Sequence, residues 1–187
     1  MLLATKRDSP SIIPNSYRVY NINMEDNGSE STFPWEGVVA QYLFSNIKPA
    51  LSDSEKFIST WIAFNAWMKG QFGTEMTDKK LIDATKSYEP INKTFAYLKR
   101  SDIDFAAALA SFSKFEIVNE KNRGKFRFNG NFDSLLETLY ALRGNTFHGA
   151  DTSGMNSDPH RLAFEILYLL LYKHIFPNKI VSLPGED

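Results

Sequence analysis

The run from Leu162 to Phe176 is apolar almost all the way round a helical projection, broken only by Glu165, Lys173 and His174. A helix with no polar face must be covered on several sides, so the chain has to build a bundle around it or bury it in a subunit interface. Its most apolar part, Ala163 to Leu171, is about half the length of a membrane span and is followed by two polar residues, which predicts a core helix and not an anchor. Pro159 is placed to start it, since proline fits the first turn of a helix.

The segments that could surround this helix carry their own start and stop signals. Ser52 followed three residues later by Glu55 forms a capping box ahead of Phe57-Ile-Ser-Thr-Trp-Ile-Ala-Phe-Asn-Ala-Trp-Met68, with Phe57, Trp61, Phe64 and Met68 on one stripe and Gly70 and Gly73 at the end. Thr77 caps a mostly polar surface helix running to Lys86, and Pro90 sits in the first turn of another over Ile91 to Leu98. Ser101 or Asp102 caps a helix that puts Phe105, Ala106, Leu109 and Phe112 on one face. Upstream, Val38, Val39, Tyr42 and Leu43 have helical spacing within Trp35 to Ile47, closed by Pro49. Short connections between these segments favour antiparallel neighbours.

Two regions differ. Alternation on either side of Asn122-Arg123-Gly124 predicts a small β-hairpin, and residues 1–35, with Pro10, Pro14, Pro34 and a polar stretch from Glu25, read as irregular chain holding one candidate strand, Tyr17 to Ile22. The expectation is an all-α antiparallel helical bundle with a small β-hairpin insertion, residues 36–187, preceded by an irregular N-terminal arm, residues 1–35. A length of 187 residues suits one such domain, and 15 Phe, 8 Tyr and 3 Trp predict an aromatic-rich core.

Composition removes several function classes. A formal charge of −1 gives no whole-surface attraction to nucleic acid or anionic lipid, so any polyanion must be met locally. The absence of cysteine removes disulfides, thiolate metal sites and cysteine nucleophiles. The first residues, Met-Leu-Leu-Ala-Thr-Lys-Arg-Asp, lack an apolar signal-peptide core, so the expectation is a cytoplasmic protein with no membrane partner.

Against that background one segment stands out, Leu139-Tyr-Ala-Leu-Arg-Gly-Asn-Thr-Phe-His-Gly149. At about 100° per residue from Leu135, the residues Leu142, Thr146, Leu139, Leu136, Phe147 and Tyr140 share its arc, with Arg143 near the middle. Asn131 or Asp133 caps this helix and Gly149 stops it. An inward guanidinium needs a partner, because an unpaired buried cation costs several kcal/mol, on the order of those measured for broken buried ion pairs. His148 lies about 140° further round, so the two side chains share an opening only if the last turn loosens, which Gly144, Asn145 and Thr146 favour. Gly144 would also let another backbone approach closely.

An arginine suits a phosphate through its planar fork, and a histidine suits proton transfer near neutral pH. With no metal cluster evident and no cofactor implied, the pair is compatible with metal-free RNA cleavage, in which His148 serves as base or acid, Arg143 offsets phosphoryl charge and Asn145 adds a hydrogen bond. The plainer alternative is an Arg143 neutralised by Glu165, the second inward charge. Asn65, inside the aromatic stripe, either bonds neighbouring backbone or helps to orient Arg143 or a phosphate. Lys121, Arg123, Lys125 and Arg127, close together with no acid between them, either face water or contact phosphates, with nearby phenylalanines for base stacking.

The segment from Leu139 to Gly149 resembles the signature of the HEPN superfamily (higher eukaryotes and prokaryotes nucleotide-binding domains), an arginine followed after a few residues by a histidine. It is most similar to members reading Tyr-x-x-Arg-x-Asn-x-Phe-His-Gly, and Phe57-x-x-x-Trp-Ile-Ala-Phe-Asn-Ala66 is similar to an aromatic segment that such members carry. The likeness spans roughly residues 50–176. It implies a helical homodimer with a composite cleft, and a metal-independent endoribonuclease of toxin-antitoxin or defence systems, with RNA as substrate and an antitoxin protein as a further partner. Carried over by position, Arg143 and His148 are the catalytic pair and Asn145 supports them. One departure is Gly144, where active members often have a polar residue. Other members are non-catalytic modules that bind a nucleotide or a partner protein.

Overall fold

The structure, a computed structural model, describes residues 39, 43, 47–119, 122–147 and 158–177. The arm, with its candidate strand, and most of the helix expected over Trp35–Ile47 lie outside these; Val39, Leu43 and Ile47 are described, and all three are buried. Among the described residues the chain forms six helices and one two-stranded antiparallel hairpin.

Helix α1, Asp53–Phe72, begins at the expected capping box: Glu55 N–H donates to Ser52 Oγ at 3.4 Å and Ser52 N–H to Glu55 Oε2 at 2.8 Å. Two orphan donors are satisfied reciprocally, which fixes the first turn. Gly73, at φ +115, ends the helix, with its N–H bonded to Lys69 O at 2.9 Å. Gly70 does not end it and lies within the last turn. The tertiary contacts of a long, largely buried helix offset the roughly 1 kcal/mol that an interior glycine costs. Phe57, Trp61, Phe64 and Met68 are all buried.

Helices α2, Asp78–Lys86, α3, Glu89–Ser101, and α4, Ile103–Phe112, follow with short connections. Thr77 caps α2 and Pro90 occupies the first turn of α3. Of the two candidates for α4 the cap is Asp102, whose Oδ1 accepts from Phe105 N–H at 2.9 Å, while Ser101 ends α3. The hairpin pairs β1, Ile117–Val118, with β2, Lys125–Phe126, in the register Ile117 to Phe126 and Val118 to Lys125. Arg123 takes the turn's left-handed position at φ +57.

Helix α5, Phe132–Phe147, is capped by Asn131, whose Oδ1 accepts from Ser134 N–H at 2.8 Å. Helix α6, Asp158–Ile175, is the apolar run, with Pro159 in its first turn. It packs on α1 most extensively, then on α4 and α3, and Leu162, Ile166, Leu167, Leu170 and Leu171 are buried within the single chain. The helix without a polar face is thus the centre of the bundle. No helix among the described residues is long and apolar enough to cross a membrane.

Helix α5 is held on three sides, by α1, by α2 and by the hairpin. Its contact with α2 is polar. Lys79 Nζ lies 2.7 Å from Glu137 Oε1, Lys86 pairs with the same oxygen, and Asp83 takes both lysines at 3.3 and 2.9 Å. Partial burial raises the Glu137 carboxyl, but the two lysines outweigh it and hold that carboxyl below its ordinary range. This network fixes α2 along α5 and so brings the first residue of α2 to the last turns of α5.

Candidate functional site

Arg143 stands in the last turns of α5 on the face that the leucine pattern turns towards α1 and α2. Its Nη2 lies 3.0 Å from Oδ2 of Asp78, the first residue of α2. The other oxygen of that carboxylate accepts from Asn65 Nδ2 of α1 at 3.2 Å. One carboxylate therefore joins three helices. An acid at this position also suits the positive end of the α2 dipole, which helps to keep Asp78 where the guanidinium reaches it. One turn further along α5, the Phe147 ring centre lies 4.5 Å from Arg143 Cζ.

The alternative neutralisation by Glu165 does not occur. Glu165 pairs at 2.6 Å with Arg161, one turn earlier on its own helix, which satisfies it locally while α2 supplies the carboxylate for Arg143. Asn65 likewise goes to a side chain, and it bears on Arg143 through Asp78.

The pairing does not seal the arginine. The Arg143 and Asp78 side chains keep 25% and 29% of their surface exposed. Arg143 Nε is buried with no hydrogen-bond partner among the described residues. A guanidinium has five N–H donors, and an unsatisfied buried donor costs about 1–3 kcal/mol. A part-exposed, solvent-screened ion pair returns at most about 1 kcal/mol, and a cation over an aromatic ring about 0.5–1 kcal/mol at an exposed site. Those terms do not make Arg143 a good device for stability alone. They leave a fixed cation with donor capacity to spare, which is what anion recognition needs.

The other sequence candidates fall in different places. His148 and Lys121 lie outside the described residues. Asn145 is buried and its Nδ2 donates to Val118 O at 2.8 Å, tying α5 to the hairpin. Among the described residues no other backbone closely approaches Gly144: a Cβ there would meet Asn119 Nδ2 at 3.7 Å, an ordinary contact. At the hairpin, Lys125 pairs at 2.9 Å with Glu116, the residue just before β1. The Lys125 hydrogen bond, then its charge, and to a smaller extent Arg127, hold the Glu116 carboxyl below its ordinary range. Phe128 is buried, which removes it from any stacking surface.

Two residues of the site's surroundings escaped sequence reasoning. Asp78 looked like one acid on a surface helix, and nothing local ties it to a residue far along the chain. His160, in the first turn of α6, is 4% exposed, with Nε2 3.0 Å from Thr146 Oγ. That hydroxyl donates to Leu142 O at 2.8 Å, so it accepts from His160, which carries its proton on Nε2. Burial pushes the His160 imidazole below its ordinary value, with Asp53 opposing part of the shift. Beside Thr146, helices α1 and α5 part to leave an open groove of about 380 Å³ lined by Leu51, Ser54, Glu55, Ile58 and Ser59. Among the described residues no three His, Asp or Glu side chains are gathered as a metal site requires.

Compared with family models, with curated proteins and with solved structures, the chain matches none.

Proposed function

We propose that this protein is a metal-independent endoribonuclease of HEPN type, working in the cytoplasm as a homodimer whose two copies of the segment from Arg143 to His148 form a composite cleft. The observation that carries the reading is the state of Arg143: a cation held at 3.0 Å by one carboxylate, a quarter exposed, with a buried donor left unpartnered. The part of the guanidinium left to solvent can take an anion, and a phosphodiester is an anion whose oxygens match the guanidinium fork.

In this mechanism the ribose 2′-hydroxyl attacks the adjacent phosphorus. One His148 imidazole takes the hydroxyl proton as the O2′–P bond forms. The second, from the other subunit, protonates O5′ as the P–O5′ bond breaks, leaving a 2′,3′-cyclic phosphate and a 5′-hydroxyl. Arg143 stabilises the charge that gathers on the non-bridging oxygens, and Asp78 with Asn65 keeps the guanidinium from swinging away. A toxin or defence effector restrained by an antitoxin protein is the biological setting that the HEPN likeness favours.

A second reading is favoured by the same ion pair. Asp78 already supplies a counter-charge, so Arg143 can be a structural joint in a non-catalytic helical dimer that binds a nucleotide or a protein partner. Incubating the purified protein with mixed RNA in EDTA separates the two. The enzyme reading expects cleavage that Arg143→Ala and His148→Ala abolish; intact RNA, or variants that cleave as well as the parent, leaves the second.

A further inference from the structure

The helical projection groups Phe147 with the buried leucines of α5, yet its neighbours on that arc, Leu135, Leu136, Leu139 and Leu142, are fully buried while Phe147 is 48% exposed. A large aromatic left half in water at the end of a core helix is not explained by packing. What it touches is the guanidinium of Arg143, 4.5 Å from the ring centre to Cζ. The geometry follows from the sequence, because residues four apart on a helix lie one above the other, so the ring caps the arginine of the preceding turn. The contact fixes the ring as well as the cation.

The guanidinium lies over the Phe147 ring, and the 48% of that residue left exposed is next to the charge, so a nucleotide whose phosphate meets the cation has an aromatic surface beside it for its base. Guanidinium groups take phosphate oxygens in their plane, and an aromatic face takes a base of any identity by stacking. The other aromatic residues considered for stacking do not offer this. Phe128 is buried in the core, and Phe126, half-buried, lies in β2. Building on the reading of Arg143 as the phosphate-binding residue, we propose that Phe147 is the base-stacking residue of the same site, and that the substrate is unpaired RNA.

The restriction to unpaired RNA comes from the stack itself. A base can lie on a protein ring only when splayed out of its own helix, which single strands and loops permit and an intact duplex does not. Since stacking reads no base edge, the site should discriminate poorly among the four bases and strongly between a base and none.

The test uses the full chain carrying His148→Ala to prevent turnover, with a uridylate dodecamer and an abasic dodecamer of the same ribose-phosphate backbone, read by fluorescence anisotropy at one salt concentration. The dodecamer with bases should bind roughly tenfold more tightly than the abasic one, as expected for one or more stacked bases. Phe147→Leu should abolish the difference between the two oligomers, whatever smaller loss both share through its contact with Arg143, and Phe147→Trp should restore the difference. Annealing the dodecamer to its complement should also remove the advantage. Equal weakening of both oligomers by Phe147→Leu, or no weakening of either, overturns the stacking role. Arg143→Ala distinguishes failure of the underlying reading: it should weaken both oligomers, because both carry phosphates, and if it weakens neither then the phosphate site and this inference fall together.

Discussion

Removing Asp78 probes the joint on which the site depends. Asp78→Ala deletes an ion pair to Arg143 at 3.0 Å, a hydrogen bond from Asn65 at 3.2 Å and an acid in the first turn of α2. With 25% and 29% of the two side chains exposed, the pair belongs near the top of the range for solvent-screened pairs, about 1 kcal/mol, and not with fully buried ones. The hydrogen bond contributes about 1 kcal/mol and the helix-terminus charge about 0.3–1 kcal/mol, part of which is recovered by water at the exposed side. The net expectation is a loss of about 2 kcal/mol, or a thermal midpoint lower by roughly 4–8 °C in a chain of this size. Urea denaturation of the parent, Asp78→Ala, Arg143→Met and the double variant isolates the pair. Asp78→Ala should be milder by about 1 kcal/mol in the Arg143→Met background, because the pair is already gone there. If it costs the same in both backgrounds, Asp78 does not hold Arg143, and the account of the site is wrong at its base.

Two further perturbations test the surroundings. His160 is buried and its imidazole is pushed below its ordinary value, so in the window just below about pH 6.5 the unfolded chain takes a proton that the folded one refuses. Stability should therefore be flat with respect to this group above that pH and fall by up to about 1.4 kcal/mol per unit as pH drops through the window. His174, whose imidazole burial also pushes down, adds to the slope in the same direction. Urea midpoints at pH 7.5, 6.5 and 5.5 should show a shallower decline in His160→Gln than in the parent; parallel slopes would mean that His160 is not held neutral. Gly144→Ala should raise the thermal midpoint by about 2–4 °C, since among the described residues an alanine there meets only Asn119 Nδ2 at 3.7 Å and gains up to about 1 kcal/mol of helix preference. A lowered midpoint would show that the glycine answers to something other than the helix.

How far the sequence carries depends on whether the decisive interaction is local. The Ser52 and Glu55 capping box, the Thr77 and Asp102 caps and the turn at Asn122-Arg123-Gly124 act across a few residues, and each sits where local chemistry puts it. The all-round apolarity of Leu162–Phe176 is likewise visible in the chain and requires burial on several sides, and of the two ways to meet that demand the fold uses the centre of the bundle. What could not be read was the partner of Arg143, because Asp78 reaches it only after α2 docks on α5 through Lys79, Lys86 and Glu137. Glu165, the alternative partner, has a local signal against it, since Arg161 at i−4 satisfies that acid on its own helix. Phe147 shows a different limit: a helical projection gives direction but not where the covering neighbour stops, and in the last turn of α5 the cover has run out.

The unusual feature of the site is that its cation is oriented without being fully satisfied. Three helices converge on Asp78, so Arg143 is held by the scaffold and not by a flexible loop, while the exposed quarter of its side chain remains for a ligand. The exposed Phe147 ring gives that ligand an aromatic surface next to the charge.

The most direct measurement of the central claim is the chemistry of the RNA ends left after incubation of the purified full chain with single-stranded RNA in EDTA. The account predicts fragments ending in 2′,3′-cyclic phosphates and beginning with 5′-hydroxyls, formed by the parent and lost in both Arg143→Ala and His148→Ala. RNA that stays intact, fragments with other ends, or cleavage that survives either substitution would contradict it.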